Sequence, residues 1–292
     1  MFKPLLLSLV LLPVFCARVV EAAPVRVTGS DLFAAAIEPE LKHFAQTSDL
    51  EMSVSMQGSR VGLEALEKGQ ADLALVVVGT EDVKPSAALH AVTVGYLTAV
   101  VVAPASVNLT QISFNQLGGV FGSSEALSLK RWGDLGVTGA MSARVITPLV
   151  ARRDALAYDI FRYNALKTPE FKATVVTVDD SATLHSRLAG LDEGGLALVS
   201  TPPSEHLPLK VLLVAKGDRD VAYGPTPENL HSGDYPLRLP VQLVFRKSDA
   251  KRLNGVLREL LADETAPVLV KAGIIPLPVQ ARNQLVFELE NL

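Results

Sequence analysis

Two serines stand where a chain can grip an anion. Ser30 follows the short apolar run Pro24–Thr28, and Ser59 follows the alternating run Met52, Val54, Met56. Each comes after a glycine, and each opens a stretch with helical spacing. A helix start carries unpaired N–H groups and a partial positive charge, so it favours anions. A hydroxyl at such a turn adds a donor and leaves room for a ligand. The same serine can instead cap its own helix and touch nothing else. The residues alone leave both roles open.

Other chemistries lack their residues. His43, His90, His185, His206 and His231 fall into neither a His-x-x-x-His nor a His-Glu-x-x-His spacing, so no metal site is predicted. No Gly-x-Ser-x-Gly elbow, Gly-x-x-x-x-Gly-Lys loop or Gly-x-Gly-x-x-Gly fingerprint occurs, so neither catalysis nor a cofactor is predicted. His185, on a predicted helix, reads as a surface residue. With 292 residues, 49% hydrophobic and 20% charged, the chain has material for a sizeable core. A net charge of -4 without a Lys/Arg run gives no footprint for nucleic acid.

The first 22 residues read as a secretory signal: Lys3, the apolar stretch Leu5 to Phe15, then Val20-Glu21-Ala22, with cleavage expected before Ala23. The sole cysteine, Cys16, lies inside it. Phe15 stands before Cys16 where a lipidated cysteine wants a small residue. Cleavage leaves a mature chain without disulfides or thiolate chemistry. The expected location is periplasmic or secreted.

The rest alternates strand and helix. Strands are predicted at Pro24–Thr28, Met52–Met56 and Asp72–Val78, with helices over Asp31–Gln46, which Pro39 should kink or shorten, and Val61–Lys68, closed by Gly69. A long β-rich stretch runs from Val92 to Ala103. Then come helices near Ser113–Phe121 and Asp154–Leu166, and strands at Val145–Val150, Thr174–Val178 and Leu196–Ser200. A strong strand, Val241–Arg246, precedes a helix capped by Ser248, with Leu253, Val256, Leu257, Leu260 and Leu261 on one side. This is an α/β pattern with a largely parallel sheet.

Several stretches, in this order, resemble the phosphate-type periplasmic solute-binding proteins of ABC transporters. They are Thr28-Gly29-Ser30, Gln57-Gly58-Ser59-Arg60-Val61-Gly62, Gly69-Gln70-Ala71-Asp72, Arg131-Trp132-Gly133-Asp134, Thr226-Pro227-Glu228-Asn229, Tyr235-Pro236-Leu237 and Lys271-Ala272-Gly273-Ile274-Ile275-Pro276-Leu277. The resemblance implies a two-lobed type II periplasmic binding protein fold, with a mixed, mostly parallel sheet in each lobe and helices on both faces. It implies one lobe at 23–102 plus 236–292, a second at 103–235, and a ligand cleft between them. Trp132 would pack in the second lobe.

By that resemblance the ligand-binding candidates are Ser30, Asp31, Ser59, Arg60, Thr80, Arg152, Arg153 and Asp154. The family's third anion turn carries Arg followed by Ser-Gly-Thr. Here the stretch reads Ala151-Arg152-Arg153-Asp154-Ala155-Leu156, so an arginine remains while Asp154-Ala155-Leu156 replaces the hydroxyls. Of the turn after Asp72, only Thr80 offers a side-chain donor. The partner implied is a small anion: phosphate held by backbone N–H groups and one arginine, or another oxyanion or carboxylate anchored by Arg152 or Arg153. An ABC transporter permease would follow as partner to a monomer. The alternative is a divergent domain without phosphate binding, acting as a sensor or interaction module. Each charge-assisted hydrogen bond contributes about 1.5–3 kcal/mol. Losing two or three should therefore weaken or abolish phosphate binding, and a carboxylate facing the cleft would repel it further.

Overall fold

The computed structural model describes residues 23–79, 84–123, 128–152, 154–164, 170–190 and 194–292. The signal-like stretch with Cys16, and the candidates Thr80 and Arg153, lie outside them. One six-stranded sheet contains β1 (Val25–Gly29), β2 (Met52–Met56), β3 (Leu73–Val77), β4 (His90–Thr98), β12 (Arg238–Phe245) and β13 (Ile275–Pro276), in the order β13-β4-β12-β3-β1-β2. A five-stranded sheet contains β5 (Val100–Pro104), β7 (Thr147–Ala151), β8 (Val176–Val178), β9 (Gly195–Val199) and β10 (Leu209–Val211), in the order β10-β5-β9-β7-β8. A small ribbon pairs β6 (Gln111–Ser113) with β11 (Leu213–Ala215). The helices are α1 (Ala34–Thr47), α2 (Ser59–Glu67), α3 (Phe114–Phe121), α4 (Ala155–Asn164), α5 (Ser181–Ala189), α6 (Pro227–Ser232), α7 (Ala250–Leu261), α8 (Ala266–Lys271) and α9 (Val279–Glu290).

Alternation along each strand sends side chains to both faces, and helices cover both. In the first sheet Leu73, Leu75 and Leu243 pack with Phe33, Ile37 and Leu41 near α1, while Ala74, Val76 and Val244 pack under Leu63 and Leu66 of α2. In the second sheet Val100, Val102 and Ala197 meet Leu184 and Leu188 of α5, and Val101 and Leu198 join the core of α3 and α4. Trp132 is fully buried there.

Three local expectations change. Pairing is mixed, not mostly parallel: β1, β2 and β3 are parallel, as are β7, β8 and β9, but β12 and β5 run antiparallel to their neighbours. Each of these two strands enters its sheet from the crossing between the sheets, at the end where the strand–helix–strand units finish. Pro39 does not shorten α1, which runs 14 residues with Ile37 and Leu41 buried on either side of it. Packing on the sheet offsets the backbone bond that proline removes. Ser248 sits inside a 3-10 turn, and Asp249 precedes α7 without a side-chain cap. The five predicted apolar residues of α7 are all buried.

A single residue, Ala99, joins β4 of the first sheet to β5 of the second, a little before the boundary expected at 102. The return crossing is Tyr235–Leu237. The buried Tyr235 hydroxyl donates to the Ala99 carbonyl at 2.7 Å, and Ala99 N–H and Thr98 Oγ1 donate to the Leu237 carbonyl at 3.1 and 2.9 Å. Register then places the strand ends. Thr98 faces Arg238, Val241 faces Val77 and Gly29 faces Leu75, so β1, β2 and β3 end on the crossing side. Val100 faces Val199, Leu198 faces Val150 and Ala151 faces Val178, so β7, β8 and β9 also end there. The crevice beyond the carboxyl ends of such strands is where open α/β sheets take ligands.

Candidate anion-binding cleft

The first sheet brings two turns together. Gly29 has φ +152°, and a Cβ there would lie 2.0 Å from the Leu75 carbonyl oxygen, so only glycine fits. Beyond it the Ser30 N–H donates to that carbonyl at 2.8 Å, and Gly58 N–H donates to the Gly29 carbonyl at 2.8 Å. Ser30 is buried, and its side chain caps nothing. Ser59 opens α2 behind Gly58 (φ +128°), which has no side chain to cap the helix. The first turn of α2 therefore receives no side-chain cap from its N-cap residue. Ser59 Oγ accepts the Val77 N–H at 3.0 Å, which fixes the hydroxyl at the end of β3 and leaves its own hydrogen to donate. Asp31 is exposed beside Ser30. Arg60 is exposed and pairs along its helix with Glu64 at 2.8 Å.

The second sheet answers with a different arrangement. Arg152 follows the end of β7; its N–H donates to the Val178 carbonyl at 2.7 Å, and its side chain is exposed with no ion pair among the described residues. Asp154, a ligand-binding candidate whose carboxylate would repel phosphate if it faced the cleft, is 8% exposed and engaged within the fold. Oδ1 accepts the Ala157 N–H at 3.0 Å, and Oδ2 accepts the Ser200 N–H at 2.6 Å and the Ser181 hydroxyl at 3.3 Å. The uncompensated α4 start and the adjacent strand end supply the donors that draw it inward. His185, expected at the surface, is buried on α5 because its helix turns that face onto the sheet. Burial holds its imidazole below the ordinary range, the Asp154 charge opposes this, and Nε2 has no partner among the described residues.

Ser181 and Ser200 escaped the sequence reading. Ser200 closes the predicted strand Leu196–Ser200 and Ser181 lies beyond the predicted strand Thr174–Val178, but neither follows a glycine as Ser30 and Ser59 do. Beside the crossing a cavity of ≈ 500 Å³ is lined by Thr93, Tyr96, Phe114, Lys216, Arg238 and Gln242, with the Arg238 guanidinium 4.4 Å above the Tyr96 ring. It adds two cations near the crossing that the sequence did not mark. At the opposite end of β3, Asp72 holds Arg26, Arg246 and Arg252 at 3.0, 3.1 and 2.9 Å and so staples the first sheet far from the cleft.

A family model described as a PBP superfamily domain matches residues 20–264, and the chain belongs to that superfamily. The phosphate-binding protein PstS of Pseudomonas aeruginosa is 25% identical over 169 residues, 55% of this chain and 50% of that protein. The chain thus spans about half the length of the curated relatives it matches. PstS from Borrelia burgdorferi has a TM-score of 0.72 at 13% identity, covering 87% of this chain and 98% of that one. An ABC-type phosphate transport receptor from Vibrio cholerae has a TM-score of 0.63 at 17% identity, covering 86% and 99%. These structures share the two-lobed α/β fold described above.

Proposed function

We propose that this chain is an exported, phosphate-type solute-binding protein that captures a small oxyanion between its lobes. One lobe would comprise residues up to Ala99 together with 236–292, the other residues 100–235, and closure would hinge on Ala99 and Tyr235–Leu237. The observation that carries this reading is that two serine turns, Ser30 and Ser59, with the α2 start left uncapped, and the exposed Arg152 at the end of β7 all lie at strand ends on the crossing side. Backbone N–H groups, hydroxyls and one guanidinium are the donors a small oxyanion needs. The curated relative is a phosphate-binding protein by name and the Vibrio cholerae structure an ABC-type phosphate transport receptor, which supports phosphate as the ligand and an ABC transporter permease as the partner. The protein would bind and release without turnover, as a monomer, after removal of residues 1–22.

Thermal unfolding of the mature protein with phosphate, sulfate and small carboxylates tests this. A ligand at about 100 times its dissociation constant stabilises the native state by about 2.7 kcal/mol, a rise of roughly 5–10 °C for a protein of this size. Phosphate should raise the melting temperature. No response to any anion of the panel would refute the reading.

A further inference from the structure

We infer that Asp154 determines what the cleft accepts: its carboxylate occupies the second lobe's oxyanion subsite, leaving Arg152 as that lobe's contact to the ligand. The inference rests on the reading of the cleft as an anion site and deepens it.

Asp154 does more than cap a helix. Capping requires one oxygen and the N–H of the second or third helical residue, and Oδ1 with Ala157 supplies that. Oδ2 turns the other way. It takes the N–H of Ser200, just past β9, and the hydroxyl of Ser181, the first residue of α5. Donors from α4, α5 and the end of β9 therefore converge on one carboxylate, all at the carboxyl ends of the parallel strands. That is how a protein builds a cradle for an oxyanion, and here the chain fills it with its own charge.

Two consequences follow for the ligand. An incoming oxyanion finds these donors already used, because each carboxylate oxygen is held. It also meets a buried negative charge behind the turn that carries Arg152, and like charge opposes doubly charged anions most. The cleft should therefore favour singly charged oxyanions or those that keep a proton, held by the first lobe's turns and Arg152. Sulfate, a dianion without a proton at neutral pH, should bind least.

The test compares wild type with Asp154→Ser, which keeps a capping oxygen but removes the charge and vacates the Ser200 and Ser181 donors. Asp154→Asn serves as a second variant if the serine protein does not fold. Each is titrated calorimetrically with inorganic phosphate and with sulfate at neutral pH, and melted to confirm folding. Binding at least tenfold tighter in Asp154→Ser, with a lower melting temperature, is expected for both anions; the asparagine protein should show a smaller gain. A folded variant with unchanged or weaker affinity would reduce Asp154 to a structural clip and overturn the inference, while wild-type phosphate binding would leave the proposed function standing. Binding only in the variant would support the inference and count against phosphate as the natural ligand. Silence in both proteins toward both anions would overturn the two readings together. Submicromolar phosphate binding by wild type would also overturn the inference.

Discussion

Replacing Asp72 by Asn should destabilise the first lobe strongly, and the loss should fade in acid. Asp72 is 3% exposed at the start of β3, within 3.1 Å of three guanidiniums from β1, the end of β12 and α7. Burial pushes its carboxyl up, but hydrogen bonds from the Arg26 side chain and backbone, with the charge and hydrogen bond of Arg252, pull it down from 3.8 to about 2. The folded state thus favours the charged form by about 2 kcal/mol. Asparagine forfeits this and leaves three cations around a neutral amide. Because those arginines are partly solvated, the added cost is modest, and about 2–4 kcal/mol in all is expected. For a chain of this size that lowers the melting temperature by roughly 5–15 °C. A depressed carboxyl contributes stability that is complete above its unfolded value of 3.8 and is lost as pH falls through its folded value of about 2. Denaturant titrations of both proteins at neutral pH, and again near the folded value, measure this. A variant within about 0.5 kcal/mol of wild type at pH 7, or a difference that persists undiminished in acid, would refute the reasoning.

Two further outcomes follow from the geometry. His185 and His90 are both held below the ordinary imidazole range by burial, His90 also by Lys247, so the unfolded chain takes up protons first as pH falls below 6.5. Unfolding free energy should therefore decline from about pH 7 to pH 5, and His185→Asn should flatten that slope; an unchanged slope removes His185 from the account. Gly29→Ala forces a Cβ against the Leu75 carbonyl at a positive φ. Loss of about 3 kcal/mol or failure to accumulate folded protein is expected, and a variant as stable as wild type would show that the turn can shift.

Much of the first lobe was legible because its signals are local. Apolar alternation, glycine at the turns and helical spacing mark β1, β2, β3 and α2 within a few residues. The residue at which the chain crosses was not legible. Val92 to Ala103 reads as one apolar run, and nothing in its side chains says that Ala99 separates two sheets. Helix α9 was missed for a related reason: its apolar residues do not gather on one face, and Phe287 and Val279 remain exposed. At the site, the sequence showed a carboxylate where hydroxyls were expected and predicted repulsion. It gave no view of Ser181 and Ser200, 27 and 46 residues away, which receive that carboxylate inside the fold. Long-range donors are set by the parallel register of β7, β8 and β9, which no local pattern encodes.

Calorimetric titration of the mature protein with inorganic phosphate, alongside Arg152→Ala, tests the central claim most directly. With the second lobe contributing one guanidinium, a single site with a dissociation constant on the order of micromolar or weaker is expected, since each lost charge-assisted bond weakens binding about tenfold or more. Arg152→Ala should weaken it at least tenfold further without changing the melting temperature of the free protein. An absence of binding heat with phosphate, or phosphate binding that is indifferent to Arg152, would contradict capture of an oxyanion between these two lobes.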